Sequence, residues 1–170
     1  MIDNVTERLE AARRFQRRVN ELTKPPAEGS KPATARIIDT ALLWGAPGNF
    51  VRVVDQINGA YEHGWYDACA IMLRRLLEML IIEAFVANGM KEKIKGPNGR
   101  FLNLNGLIRQ ACSESSWALD DEGAILRRLN AIGNWSAHKR RFVANRDDID
   151  KHVSALRIVI QELAFLAKLK

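Results

Sequence analysis

One apolar run constrains the fold of this chain more than any other feature of its sequence. From about Trp65 to Asn88, apolar side chains occupy nearly every position around a helix, and Gly89 provides a natural end. A helix with one apolar side lies at the surface of a bundle, whereas a helix that is apolar almost all round must be covered on every side. The run therefore predicts the central helix of an all-α bundle.

The helices that would cover this central one are indicated by apolar residues that recur at helical spacing on both sides of it. Asn145 and Asp148 have the spacing of a capping box just before the last pattern. Residues 90–106 are rich in Lys, Gly and Asn and predict an exposed loop. The whole chain is expected to form a bundle of five to seven helices. The flanking patterns lie at residues 33–44, 50–64, 107–113, 120–136 and 149–167.

The N-terminal part of the chain forms a separate unit in this interpretation. Apolar residues from Val5 to Leu22 recur at helical spacing, and arginines occupy the opposite face. The stretch "TKPPAEGSKP" at 23–32 predicts a linker. We therefore expect an N-terminal helical arm and linker over 1–32 and a helical bundle domain over 33–170. The apolar stripe of the arm is ordinary, so membrane-surface binding ranks below the functions considered next.

Composition and charge limit the classes of function. The chain has 170 residues, which suits one ordinary domain, and a net charge of +6. This excess favours an anionic partner, nucleic acid above all, although scattered solvated charges would give the same total. Cys69 and Cys112 form no CxxC pair, which argues against a disulfide framework or a zinc site. We expect no cofactor.

Localisation is predicted from what the first residues and the apolar runs lack. The N-terminus is charged from its first turns, unlike a secretion signal. The longest apolar run contains Glu78 and Glu83 and is shorter than the roughly 20 residues of a membrane span. We therefore expect a cytoplasmic protein without a membrane partner.

Two groups of polar residues are candidates for a site. In the central helix, Asp67, Arg74 and Glu78 share one stripe, with Arg75 beside it. Because an unpaired buried charge costs several kcal/mol, a buried stripe must meet polar partners; the alternative is an ordinary ion pair on the solvent side.

The second group is the stretch "NAIGNWSAHKRR" at 130–141. If the preceding helix continues to its histidine, several polar side chains share one face and can meet the stripe of the central helix. Alternatively, Asn134 and His138 only secure a helix end that Gly133 weakens. The shared face comprises Arg127, Asn130, Asn134 and His138, and the basic triplet Lys139, Arg140 and Arg141 follows it.

Two stretches carry a resemblance to a known family. "AYEHGWYDACAIMLRRLLEMLI" and the later "LNAIGNWSAH" resemble a bacterial, restriction-associated domain family of unknown function with a GN-x-x-AH motif. That family is similar to the HEPN superfamily (higher eukaryotes and prokaryotes nucleotide-binding). The resemblance covers roughly residues 55–165. The matching residues are Gly64, Tyr66, Ala68, Arg75 and Glu78, then Gly133, Asn134, Ala137 and His138.

The resemblance implies a fold, a setting and two competing functions. HEPN domains are small helical bundles, commonly homodimers, in toxin–antitoxin, defence or RNA-processing systems. Active members are metal-independent ribonucleases that use an arginine and a histidine separated by four to six residues. Here Gly133 stands where that arginine belongs, and Asn134 occupies the usual asparagine position. This departure favours a binding or interaction module over an enzyme.

The expected partners are RNA or a nucleotide, a second copy, and an antitoxin or restriction/defence protein. In the alternative, the chain is an RNA endonuclease. His138 would then be the acid/base, Asn134 would orient the phosphate, and Arg75 or Arg140 would stabilise charge. In either function, the expected binding residues are Arg74, Glu78, Arg127, Lys139, Arg140 and Arg141.

Overall fold

The described part of the protein is a bundle of six α-helices. The computed structural model describes residues 36–117, 119 and 122–169, so the predicted arm at 1–32 lies outside the described residues. Within these ranges there is no strand, and the one β-bridge pairs Lys95 with Phe101. The all-α bundle of five to seven helices is confirmed. The helices are α1 (Gly48–Glu62), α2 (Tyr66–Ala87), α3 (Leu104–Ser113), α4 (Glu122–His138), α5 (Arg146–Asp150) and α6 (Val153–Leu166).

Helix α2 is the central helix that the apolar run predicts. It packs most extensively against α4 and α1, and also contacts α3 and α6. Gly64 and Gly89 flank it with φ of +73° and +72°, the left-handed backbone that glycine adopts at helix ends without strain. Its buried residues are Cys69, Ala70, Leu73, Leu76, Leu77, Leu80, Ile81, Ala84 and Phe85.

The segment before α1 differs from the expected helix over 33–44. In its described part, residues 36–39 are not helical, and one short 3-10 helix spans Thr40–Leu43. The fully buried Asn58 of α1 explains the difference. Its Oδ1 accepts hydrogen bonds from the backbone N–H groups of Ile37 and Ile38, both at 3.1 Å, and its Nδ2 donates to the Ile38 carbonyl at 2.8 Å. The amide satisfies this backbone, so a helix is not needed there.

The expected loop at 90–106 is partly structured. Lys91–Ile94 forms a 3-10 helix with Ile94 buried, and α3 begins at Leu104, three residues before its predicted start. Asn103 caps α3, since its side chain accepts a hydrogen bond from the Gly106 N–H at 3.0 Å.

The last predicted helix is divided into α5 and α6. The capping box at Asn145 and Asp148 is confirmed, and it starts the short α5. Tyr61 of α1 fixes this short helix: its hydroxyl donates to the Asp150 carboxylate and accepts from Arg146 Nε at 3.1 Å. Burial and the Asp150 carboxylate raise the pKa of Tyr61. The chain turns at residues 151–152 and continues as α6.

Candidate functional site

Gly133 lies where α4 crosses α2, and it is not a weak helix end. Helix α4 continues through Gly133 to His138. A Cβ added at Gly133 would lie 2.7 Å from the Ala70 carbonyl oxygen and 2.9 Å from the Arg74 Cβ. Both distances are shorter than van der Waals contact. The absence of a side chain at this position therefore allows the two helix backbones to approach closely.

Arg74 finds the polar partner that the stripe of the central helix requires. Its Nε donates to Asn130 Oδ1 at 3.0 Å, and Asn130 Nδ2 donates to Asn105 Oδ1 of α3 at 2.6 Å. Asn130 is 5% exposed, and this chain of hydrogen bonds, called the amide relay below, joins α2, α4 and α3 and ends at the exposed Asn105. The partner on α4 is thus Asn130, one turn before Asn134.

The other residues of the α2 stripe lie in different surroundings. Asp67 Oδ1 accepts from the Ala144 N–H at 2.9 Å and thereby fixes the loop after α4. Glu78 is half-buried and Arg75 is exposed. Within the described part of the chain, neither of these two side chains makes a hydrogen bond or ion pair.

Asn134 and His138 are exposed near the end of α4. Their side chains, too, make no hydrogen bond or ion pair with a residue that the structure describes. Helices α2 and α4 run antiparallel, because Arg74 contacts Asn130 while Ala70 contacts Gly133. His138 lies about 12 Å beyond Asn130 along α4, toward the N-terminus of α2 and away from Glu78. Within one subunit the structure does not bring His138 together with Glu78 or Arg75.

A basic and aromatic surface surrounds the last turns of α4. The Arg128 guanidinium lies 5.8 Å and the Lys139 ammonium 4.6 Å from the centre of the Trp135 ring. Phe142 packs edge-on against the same ring, at 5.5 Å between centroids. We call Arg128, Trp135, Lys139, Arg140 and Arg141 the Trp135 surface. In the described ranges none of its four cations forms an ion pair.

Sequence reasoning selected three residues of this surface and omitted Arg128 and Trp135. The spacing contains the signal that would have found them. Arg128, Trp135 and Lys139 are seven and four residues apart, which places them on one face of a helix. Arg127, which sequence reasoning did select, is also exposed but lies on a neighbouring face that borders α3.

Two buried polar atoms near this end of the bundle, Ser136 Oγ and His152 Nε2, have no hydrogen-bond partner among the residues that the structure describes. Burial lowers the pKa of His152 below its ordinary value, and the nearby charges of Lys151 and Arg128 lower it further, against the opposing Asp148 carboxylate. The lowered pKa favours the neutral form of His152.

Neither a metal site nor a membrane span is found in the residues that the structure describes. Over 36–117, 119 and 122–169, no three His, Cys, Asp or Glu side chains are grouped so that they could hold a metal ion. None of the described helices combines the length and the apolar character that crossing a bilayer needs.

Comparison of the chain with protein-family models, curated proteins and solved structures finds no match. The site itself offers exposed cations and an aromatic ring at one end of α4, and an amide relay centred on the buried Asn130 at its middle.

Proposed function

We propose that this chain is a binding module for single-stranded RNA, and that the strand contacts the Trp135 surface. The observation that carries the proposal is the Trp135 ring with two cations against it, followed in the chain by two more exposed cations, none of them neutralised by a described carboxylate. Proteins bind single strands by pairing cations with phosphates and by stacking bases on aromatic rings, and this surface supplies both groups. The net charge of +6 favours the same class of partner.

Binding is favoured over catalysis by the packing of Gly133. In the resemblance to HEPN ribonucleases, this position would carry the arginine that stabilises charge on the phosphoryl group. Here the space for its Cβ is occupied by the Ala70 carbonyl oxygen, at 2.7 Å. An arginine could not be placed there without moving α4 away from α2.

The endonuclease alternative has one observation in its favour. The His138 side chain is exposed at the end of α4, one turn beyond the exposed Asn134, so both could reach a phosphodiester. The missing positive charge would have to come from Arg75 or Arg140, within the same subunit or from a second copy of the chain. This alternative requires RNA cleavage in EDTA that His138→Ala abolishes while the helical circular dichroism is retained.

A homodimer in a defence or restriction setting belongs to the same proposal. Helix α6 carries Ile158 and Phe165 seven residues apart on one face, 55% and 70% exposed. Such an apolar face is costly in water and suits contact with a second copy. Sedimentation velocity on the wild type and on Phe165→Glu tests this: the wild type should sediment as a dimer and the variant as a monomer.

The RNA-binding proposal is tested by fluorescence anisotropy with a labelled single-stranded oligoribonucleotide at several salt concentrations. For Lys139→Gln/Arg140→Gln we expect weaker binding and a salt slope smaller by about 1.4, since each phosphate contact on a single strand contributes about 0.7. The double variant Lys91→Gln/Arg100→Gln makes the same charge change at exposed residues outside the Trp135 surface.

The control should bind like the wild type. Equal loss of affinity in both double variants would mean that only total charge matters, and the proposed surface would be wrong. Preference for single-stranded DNA of the same sequence would overturn the assignment of RNA.

A further inference from the structure

A cleft of about 470 Å³ opens between α3 and α4. It lies on a different face of α4 from the Trp135 surface: Arg127 lines the cleft beside α3, whereas Arg128, Trp135 and Lys139 share the neighbouring face. Two arginines and one asparagine line it, together with an apolar side chain, a thiol and a hydroxyl, and no carboxylate of the described residues does. The lining residues are Asn105, Ile108, Arg109, Cys112, Ser113 and Arg127.

The amide relay orients the asparagine in this wall. Arg74 Nε can only donate, so the oxygen of Asn130 faces Arg74 and its Nδ2 donates onward to Asn105 Oδ1. The Asn105 amide nitrogen is then left as a donor, and it has no partner among the described residues. The relay thus orients the exposed Asn105 amide so that it presents an N–H donor at the wall of the cleft.

Both arginines of the cleft are exposed and form no ion pair or hydrogen bond within the described ranges. Gly123 makes room for one of them. A Cβ at Gly123 would lie 3.3 Å from each terminal nitrogen of Arg127 and 2.9 Å from Cys112 Sγ. Without that side chain, the Arg127 guanidinium can lie back along α4, on the side that faces Cys112.

We propose that this cleft binds a phosphate group. Its polar wall offers N–H donors from Asn105, Arg109 and Arg127, and phosphate oxygens accept such bonds, in pairs from a guanidinium. Ile108 adds an apolar contact for the group that carries the phosphate. The phosphate can belong to a free nucleotide or to the end of an RNA strand, and the volume is that of small-ligand sites. This inference does not depend on RNA binding at the Trp135 surface.

Cys112 provides the assay, because the chain has two cysteines and they differ in exposure. Cys69 is fully buried, and burial raises its pKa to about 12, so it should not react in the folded protein. Cys112 is half-buried in the cleft. The rate at which iodoacetamide, an uncharged reagent, modifies Cys112 can be followed by mass spectrometry at constant ionic strength.

Five separate additions distinguish the sources of phosphate. Three are inorganic phosphate, AMP and adenosine, and the other two are the same oligoribonucleotide with a 5′-phosphate and with a 5′-hydroxyl. Slower modification with phosphate and AMP but not adenosine supports the proposal, with a free nucleotide as the source. Slower modification only with the 5′-phosphorylated strand supports it with a strand end as the source. No effect of any addition, or an equal effect of adenosine and AMP, overturns it.

Variants test the two arginines. Arg109→Gln or Arg127→Gln should weaken the protecting ligand about tenfold, which is equivalent to about 1.4 kcal/mol. Arg100→Gln removes the same charge outside the cleft and should bind as the wild type does. An equal loss in Arg100→Gln would overturn the proposal. Cys69 monitors folding in the same spectra, since a variant that unfolds would expose it to the reagent.

Discussion

The substitution Gly133→Ala separates two interpretations of the GN-x-x-AH segment by the sign of its effect. If Gly133 only weakens a helix, alanine should stabilise the protein by about 1 kcal/mol, the usual difference in helix propensity. If Gly133 permits the crossing of α2 and α4, alanine should destabilise it. The structure favours the second outcome, because Gly133 is buried inside a continuous helix.

The size of the destabilisation by Gly133→Ala follows from the space available where α2 and α4 cross. An alanine Cβ at Gly133 would lie 2.7 Å from the Ala70 carbonyl oxygen, and this neighbour is backbone that cannot rotate away. Carbon–oxygen contacts normally begin at about 3.3 Å, so the helices must separate by roughly 0.6 Å. Overpacking of a core costs about 1–3 kcal/mol. After the gain in propensity, we expect a net loss of up to about 2 kcal/mol.

Thermal unfolding followed by circular dichroism measures the effect. For a chain of this size, a loss of 2 kcal/mol lowers Tm by about 4–8 °C. Gly48→Ala is the matched control: Gly48 is also helical, and a Cβ there would meet nothing within 4 Å. The control should leave Tm unchanged or raise it slightly. A higher Tm for Gly133→Ala than for the wild type would refute the close crossing.

Two further predictions concern buried polar groups. Asn58→Ala leaves two buried N–H groups without their acceptor and should lower the free energy of unfolding in urea by about 3 kcal/mol or more. The control Asn88→Ala changes an exposed asparagine and should lower it by less than about 1 kcal/mol. Equal losses in the two variants would contradict this reasoning. Because the pKa of His152 is lowered in the folded protein, its imidazole takes up a proton more readily in the unfolded chain as the pH falls through 6.5. Stability should therefore fall below pH 6.5, and Tm of His152→Gln should decline less steeply with acid than that of the wild type. Parallel Tm curves would show that His152 does not contribute.

Much of the fold could be predicted because its cause is local. The central helix α2 and its two glycine ends follow from apolar residues around a helix and from Gly64 and Gly89. The capping box before α5 follows from the side chains of Asn145 and Asp148 binding each other's backbone. In each case the deciding interactions lie within one or two turns of the chain.

The differences arise where a distant residue decides. The segment at 36–39 has the pattern of a helix, yet Asn58, about twenty residues later, takes its hydrogen bonds. The last pattern is divided after Asp150, a residue that Tyr61 holds from α1, 89 residues away. Helix propensity and hydrophobic periodicity depend only on residues that are close in sequence, so they could not predict these distant contacts.

For the candidate site, the sequence by itself determined the chemistry available: a basic, histidine-containing end of α4 and an ionic stripe on an apolar helix. The tertiary structure alone decided which of these groups meet. It joined Arg74 to Asn130 and Asn105, and it placed Asn134 and His138 in solvent. The physical reason is the close approach of the α2 and α4 backbones at their crossing. The packing of Gly133 against Ala70 sets the register of α4 on α2. This register depends on contacts between two separate helices, so the sequence pattern of either helix alone does not determine it.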